Sequence, residues 1–166
     1  SVERARDFPK RPVAILGMGQ HHPHFSLMDA PTLTTLGGKK SSELAYKQAG
    51  LTPKDMDFAE IYDCFTITTM ITLEDYGFCK KGEGKDFVKN GRIEVGGELP
   101  VNTHGGLLSQ AHIEGMLHVT EAVKQLRGNE VEPERQVKNA KTGIVSGHGG
   151  SLCMHATLIL GHYERI

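Results

Sequence analysis

Four short apolar runs are interspersed with helical segments along the 166 residues of this chain. The runs are VAILGMG at 13–19, FAEIYD at 58–63, TGIVSGHGG at 142–150 and CMHATLILG at 153–161. Runs of this length, closed by glycine or polar residues, are typical of buried strands. The resulting order is strand, helix, strand, helix, helix, strand, strand. It predicts an α/β fold in which crossover helices cover a sheet.

The first two helices are marked in different ways. Residues 39–50 carry apolar residues inside a polar segment and stop at a glycine, which favours a helix. The stretch 64–78 is rich in threonine and isoleucine, which favour strands. Because Ile67, Met70 and Ile71 fall at helical spacing, we predict a buried helix there.

The third helix is the clearest prediction, over residues 110–128. Ser109 can cap it and Gly128 can end it. We expect one apolar stripe to face the core, formed by Ile113, Met116, Leu117, Val123 and Leu126.

Loops are predicted elsewhere. Residues 20–38 have no clear period and room for one short helix, and Thr52 before Pro53 favours a brief helical turn. The glycine-rich stretch 79–109 is long for a loop in a compact domain, which usually indicates function. Residues 129–141 form a charged connector.

Composition narrows the classes of function. The formal net charge is -1, so bulk charge gives no argument for nucleic acid or an anionic membrane as a partner. The hydrophobic share of 38% suits one globular domain over residues 1–166. No apolar run approaches the ~18 residues that span a bilayer, no signal peptide is visible, and the three cysteines form no CxxC pair. We therefore expect a cytoplasmic protein.

Tyr62, Asp63 and Cys64 place a phenol, a carboxylate and a thiol at the end of the second predicted strand. A thiol at the start of the next helix feels the helix dipole, which favours the thiolate used in proton transfer or nucleophilic attack. The alternative is that Cys64 is a core residue, since free cysteines are often buried, and that Asp63 caps the helix.

The segment NTHGGLLSQAH, 102–112, places Asn102, Gly105, Gly106 and His112 ahead of the third predicted helix. A histidine in the first turn of a helix stays neutral and can donate a hydrogen bond to a developing oxyanion. The alternative is an ordinary surface histidine at position 112.

Two further histidine segments are candidates. In SGHGGSLC, His148 precedes Gly149 and Gly150, whose backbone N–H groups can line an anion site or simply form a tight turn. The segment HHPH, 21–24, has three histidines in four residues. Its proline stiffens the backbone and no cysteine or carboxylate is near in sequence, so we expect no metal site there. We interpret it as a loop that contacts a ligand or a partner.

Three blocks, in this order, resemble the C-terminal half of a thiolase. EIYDCF, 60–65, resembles E-x-H-D-C-F of the sterol-carrier-protein-type thiolases and lipid-transfer thiolase-like proteins. NTHGGLLSQAHIEG, 102–115, resembles N-P-S-G-G-x-x-x-x-G-H-P-x-G, and SGHGGSLCMHATLIL, 146–160, takes the position of the final glycine loop and strand. The resemblance implies a thiolase-like C-terminal domain with a mixed five-stranded sheet and helices on both faces.

The same resemblance implies an acyltransferase that interconverts 3-ketoacyl-CoA with acyl-CoA and acetyl-CoA by Claisen chemistry, with coenzyme A thioesters as substrates and no bound cofactor or metal. Gly147 stands where most thiolases have the C-x-G cysteine, so the resemblance assigns the acid–base role to Cys64. It assigns the oxyanion-hole histidine to His112. The implied oxyanion and substrate loops contain Tyr62, Asp63, Asn102, Gly105, Gly106, His148, Gly149 and Gly150.

Departures from the pattern keep other functions open. Tyr62 replaces the histidine of H-D-C-F. Related retro-aldolases, which cleave steroid side-chain acyl-CoAs, have motifs similar to YDSF and NTHGGLLSEAY at these positions. This chain shares YD and NTHGG with them but keeps Cys64 and His112, so we favour thiolase chemistry over retro-aldol cleavage. A third interpretation is a non-catalytic module that binds acyl-CoA or a partner, with Cys64 in the core.

A complete thiolase also has an N-terminal half, which carries the nucleophilic cysteine. We expect this chain to pair with such a half, to be inactive alone, and to form a homodimer when complete. Proteins of this neighbourhood often work with a small OB-fold or zinc-ribbon partner, and the histidine-rich loop is the candidate contact.

Overall fold

The computed structural model of the protein describes residues 2–162, so both ends of the expected 1–166 domain lie outside the described residues. The described strands are Val13–His21 (β1), Phe58–Glu60 (β2), Thr142–Gly149 (β3) and Met154–His162 (β4). They form one sheet in the order β1-β4-β3-β2. Strands β2 and β3 are parallel and the other neighbours are antiparallel, which makes the sheet mixed, as expected.

The helices connect the strands and cover the sheet. The described α-helices are Val2–Ala5 (α1), Gly38–Ala49 (α2), Thr66–Asp75 (α3), Gly84–Phe87 (α4), Gly106–Ser109 (α5) and Met116–Arg127 (α6). Short 3₁₀ helices at Leu27–Asp29 and Pro53–Asp55 fulfil the predictions of a short helix in 20–38 and a turn after Thr52. No helix in the part of the chain from 2 to 162 has both the length and the apolar character that a bilayer crossing requires.

The prediction of a fifth strand is wrong. The segment around Val101 pairs with β2 through a single bridge, between Ala59 and Val101, and forms no strand. Ala59 N donates to the Pro100 carbonyl at 2.9 Å and Asn102 N donates to the Ala59 carbonyl at 3.0 Å. The ladder does not extend further because Pro100 has no N–H to donate. On the other side, Asn102 turns out of the extended conformation at φ 52°. The sheet therefore has four strands.

Helices pack on both faces of this sheet, as predicted. Successive strand residues point to opposite faces, so neighbouring residues of β3 enter different cores. Ile144 packs with Ala45 of α2 and Leu73 of α3, whereas Val145 packs with Leu126 of α6.

The predicted helices at 39–50 and 64–78 are confirmed as α2 and α3. The third prediction is wrong at its start, because α6 begins at Met116 and not at residue 110. Ser109 ends the separate helix α5 and does not cap α6. Gly128, at φ 80°, ends α6 as predicted. His112 therefore lies in the loop between α5 and α6 and not in the first turn of a helix, as the sequence had predicted.

The expected apolar stripe of α6 is also partly wrong. Ile113 and Met116 are 61% and 63% exposed, whereas His118, Glu121 and Gln125 are buried. Polar groups from the end of β2, from the loop 102–112 and from the segment 129–141 surround these three side chains. Because a buried polar group with a partner is tolerated, the buried face of α6 does not have to be apolar.

Candidate functional site

The candidate site lies where β2 ends, and the loop 102–112 is attached to that end. The first attachment is the Asn102 side chain, which accepts a hydrogen bond from Ile61 N at 2.6 Å and donates to the Ile61 carbonyl at 2.9 Å. The amide thus replaces one residue of a neighbouring strand. This predicted site residue fixes the start of the loop.

Asp63 makes the second attachment, to the first turn of α5. Its carboxylate accepts from Leu107 N at 2.8 Å and from Leu108 N at 3.3 Å. It therefore caps α5 and not the helix that follows it in sequence. Burial opposes ionisation of Asp63, but His118 and these N–H groups outweigh that effect and hold the pKa of the carboxyl below its ordinary value.

Two glycines allow this approach. Gly105 and Gly106 have φ values of 96° and 69°, a region that glycine enters without steric cost. A Cβ on Gly106 would also overlap the carboxylate of Asp63. Both predicted glycines therefore shape the loop and lie outside the cleft described below.

Tyr62 and His112 form the third attachment. The phenol oxygen lies 2.8 Å from His112 Nε2, with Tyr62 buried and His112 exposed. Burial, and then the neighbouring Cys64, Glu114 and Asp63, raise the pKa of Tyr62. The phenol therefore keeps its proton at neutral pH, and it donates to His112 when Nε2 is unprotonated.

A cleft of about 490 Å³ opens beside this pair. The structure brings five predicted site residues to its wall and connects His112 to it through Tyr62. Asn102, Asp63, Gly105 and Gly106 do not line it. The lining residues are Leu27, Tyr62, Cys64, Phe65, Glu114, His148, Gly149, Gly150, Ser151 and Leu152.

Cys64 lies just before α3, as predicted, and is half-buried in the cleft wall. Its Sγ atom lies 3.7 Å from the Thr68 hydroxyl. Within residues 2–162, no imidazole or carboxylate lies at hydrogen-bonding distance from this sulfur. The thiol is therefore accessible but has no adjacent base in this part of the chain.

His148 connects the cleft to a buried polar chain. Its Nε2 lies 3.4 Å from the Thr72 hydroxyl, and its ring packs edge-on against His155 with centroids 4.2 Å apart. His155 Nε2 in turn lies 3.1 Å from the Tyr76 hydroxyl. Burial, and then the charge of His118, lower the pKa of His148 to about 4, so this imidazole is neutral at neutral pH.

A buried cluster of Glu60, His104 and His118 lies beside these residues, and sequence reasoning missed it. His104 Nδ1 and His118 Nδ1 lie 3.0 Å and 3.7 Å from Glu60 Oε2. Burial opposes ionisation of Glu60, but the two imidazoles and Thr103 hold its pKa below the ordinary value. A carboxylate inside the apolar run FAEI was the available signal, because a charge at such a position requires a buried partner.

Comparison with known proteins identifies the fold. The family model described as thiolase C-terminal domain-like matches residues 19–162. A solved structure named Ltp2-ChsH2(DUF35) aldolase superposes with a TM-score of 0.89 at 36% identity, covering 99% of this chain and 43% of that chain.

Three curated relatives span different activities. The 17-hydroxy-3-oxo-4-pregnene-20-carboxyl-CoA lyase of Mycobacterium tuberculosis is 45% identical over 87% of this chain and 40% of the relative. The acetyl-CoA acetyltransferase of Methanothermobacter thermautotrophicus is 34% identical over 93% and 42%. Sterol carrier protein 2 of Homo sapiens is 35% identical over 69% and 21%.

The chain spans less than half the length of these relatives. The similarity nevertheless extends over most of its own residues, including all three blocks on which the resemblance depends. The chain belongs to the thiolase C-terminal domain-like family, in its sterol-carrier and lipid-transfer branch.

Proposed function

We propose that this chain is the C-terminal catalytic half of a thiolase-like lyase, which cleaves a carbon–carbon bond of a 3-hydroxyacyl-CoA by a retro-aldol reaction. The observation that carries the proposal is the hydrogen bond of 2.8 Å between Tyr62 and His112 at the cleft. The 45% identity to a steroid-CoA lyase supports it. This reverses the preference for thiolase chemistry drawn from the sequence.

Retro-aldol cleavage requires a group that removes the proton of the 3-hydroxyl and a group that protonates the enolate carbon. In the proposed step the Tyr62 hydroxyl accepts the substrate proton while its own proton passes to His112 Nε2. The C2–C3 bond breaks, the C3 oxygen becomes a carbonyl, and the electron pair forms the thioester enolate. The same pair of side chains then returns the proton to C2, so the reaction needs no further reactant.

The glycine loop serves a further requirement, stabilisation of the enolate oxygen. Gly149 and Gly150 line the same cleft as Tyr62, so their backbone can approach the thioester without side chains in the way. Donors that are fixed before the reaction stabilise developing charge best in a site that excludes water.

Acyl transfer is the second candidate function. Cys64 lines the cleft as the thiolase assignment requires, and acetyltransferases are among the relatives. In that reaction Cys64 moves the α-proton and His112 binds the thioester oxygen. Within residues 2–162, the Cys64 sulfur contacts a hydroxyl and has no adjacent base, which supports the lyase over a reaction that needs Cys64 to move the α-proton. The related retro-aldolases have serine at this position, in the motif YDSF, so their reaction does not need a thiol there.

Single substitutions in the intact protein separate these functions. For the lyase, Tyr62→Phe should lower kcat for 3-hydroxyacyl-CoA cleavage by roughly 10²–10⁴-fold with KM almost unchanged, and Cys64→Ala should retain activity. Tyr46→Phe is the matched control, because this buried hydroxyl has no hydrogen-bond partner among residues 2–162. Loss of α-proton exchange in Cys64→Ala, with acyl-CoA still bound, would favour acyl transfer. Binding without either reaction in the unchanged protein would favour the non-catalytic module.

The remaining assignments follow from the same proposal. The substrate is a coenzyme A thioester, no cofactor takes part in the reaction, and the complete enzyme acts in the cytoplasm as a homodimer with its N-terminal half. A small OB-fold or zinc-ribbon protein is the further partner. Phe25 and Met28 follow HHPH in sequence and are 102% and 91% exposed, which suits such a contact.

A further inference from the structure

Three side chains that commonly bind transition metals meet under the candidate site. Glu60 ends β2, His104 lies in the loop before α5, and His118 belongs to α6. Their exposed fractions are 0%, 8% and 0%. One ligand atom from each side chain lies within 4.8 Å of the other two. The three residues come from separate elements, so their convergence is set by the fold and not by local sequence.

The contacts within the cluster leave atoms without partners. Thr103 N and Oγ1 donate to Glu60 Oε1 at 3.2 Å and 2.9 Å. Within residues 2–162, Glu60 Oε2 and both ring nitrogens of His104 and His118 have no hydrogen bond of suitable geometry. An unsatisfied buried polar atom is unfavourable by about 1–3 kcal/mol. A cation bound by several of these atoms at once would remove this unfavourable free energy.

The spacing suits a small divalent metal. Bonds of about 2.0–2.1 Å in a tetrahedral zinc site place neighbouring ligand atoms about 3.3 Å apart. The distances from Glu60 Oε2 to His104 Nδ1 and His118 Nδ1, 3.0 Å and 3.7 Å, lie on either side of that value. Two imidazoles and one carboxylate also form a ligand set that zinc accepts.

The surroundings of His118 match those of a metal ligand. With Nδ1 directed to the cluster, its Nε2 lies 3.5 Å from Asp63 Oδ1. A metal-binding histidine usually donates its other N–H to a carboxylate, which fixes the orientation of the ring. Asp63 is itself held by the N–H groups of α5. The cluster thus has three candidate ligands and, 3.5 Å from the second nitrogen of His118, a fixed carboxylate that could accept its N–H after a small shift.

We propose that Glu60, His104 and His118 bind one divalent transition-metal ion, with zinc as the best match. In this position the ion joins β2, the loop 102–112 and α6. The alternative to a metal ion is a protonated His118, whose imidazolium would lie between the carboxylates of Glu60 and Asp63. This proposal does not depend on the reaction that the protein catalyses.

Metal content of the intact protein tests the proposal. After chelator treatment and dialysis against Zn²⁺, the protein should retain one equivalent of zinc by elemental analysis, and Co²⁺ in its place should give the visible spectrum of a tetrahedral site. His104→Asn and His118→Asn should each weaken binding by at least tenfold. His22→Asn, which removes an exposed histidine of the HHPH segment, is the matched control and should retain the metal.

Two results would overturn the proposal. One is a zinc content no higher than that of a denatured sample, which would mean that the positive charge in the cluster is a proton on His118. The other is binding that His22→Asn abolishes and His104→Asn leaves intact. If the cluster variants do not fold, zinc-edge X-ray absorption of the unchanged protein decides, since two imidazoles and a carboxylate are expected and any other ligand set contradicts the site.

Discussion

The contact between Gly106 and Asp63 gives a sharp test of how the loop 102–112 is held. Alanine at Gly106 would place a Cβ inside the carboxylate of Asp63, at a left-handed φ of 69°. Gly128 has a similar φ of 80°, but apart from its own residue and its two chain neighbours no atom of residues 2–162 lies within 4 Å of the point where a Cβ would stand. Gly128→Ala is therefore a matched control that has the backbone strain and lacks the collision.

The magnitudes follow from these contacts. Left-handed backbone costs an alanine about 1 kcal/mol in either variant. Gly106→Ala also displaces Asp63 from two N–H donors, and a hydrogen bond to a charged group contributes about 1.5–3 kcal/mol. Because the contact with Leu108 is long at 3.3 Å, we expect a total loss of about 3–5 kcal/mol. A chain of this size loses about 2–4 °C of Tm per kcal/mol, so Tm should fall by roughly 10 °C, against about 3 °C for Gly128→Ala.

Thermal and urea unfolding followed by circular dichroism measure both variants. A double-mutant cycle with Asp63→Ala isolates the collision, because Gly106→Ala should then cost only the backbone strain of about 1 kcal/mol. Equal destabilisation by the two glycine variants, or a cycle without coupling, would refute the proposed attachment of α5 to Asp63.

Two other predictions concern the histidine chain and the packing of α2. The pKa of His148 is lowered to about 4, so between about pH 6.5 and that value the unfolded state binds the proton and the folded state does not. The free energy of unfolding should therefore fall by up to about 3 kcal/mol as pH decreases through this window. Urea titrations of His148→Asn should show a shallower decrease, and an unchanged slope would contradict the assignment. Separately, Gly17→Ala would overlap the carbonyl oxygen of Ala45 and should cost about 2 kcal/mol. Gly147→Ala, with open space around it, should stay within about 0.5 kcal/mol, and the reverse order in the same urea series would count against the close packing of α2 on β1.

Local pattern predicted most of the fold because most elements are stabilised by their own apolar residues. Strands β3 and β4 alternate buried side chains between two cores, and α2 ends at a glycine with φ 66°. The buried face of α6 was not predicted, for a physical reason. Its buried face is polar at Glu121 and Gln125, and their partners Thr103 and Arg135 are distant in sequence. A hydrophobic period cannot indicate a face whose burial depends on such contacts.

The site was predicted in part for a similar reason. Tyr62, Cys64 and His148 do line one cleft, and their adjacency to glycines and strand ends was visible in the sequence. His118 was missed because it resembles an ordinary helix residue, and Glu60 was missed because its charge in an apolar run signals a buried partner without indicating which residue that partner is. Only the parallel pairing of β2 with β3 and the return of the loop 102–112 to the end of β2 bring them together.

The attachments of this loop bear on whether the chain can act alone. The loop is held by hydrogen bonds at successive positions up to His112. Their partners are Ile61, Glu60, Asp63 and Tyr62. His112 itself has a single side-chain hydrogen bond within residues 2–162, the one with Tyr62. His112 is also exposed and outside any helix. A proton-transfer pair that is open to water on one side loses the advantage of fixed, dry donors. We therefore expect cleavage to require a second surface that covers His112, such as the N-terminal half, and catalysis by this chain alone would contradict that reasoning.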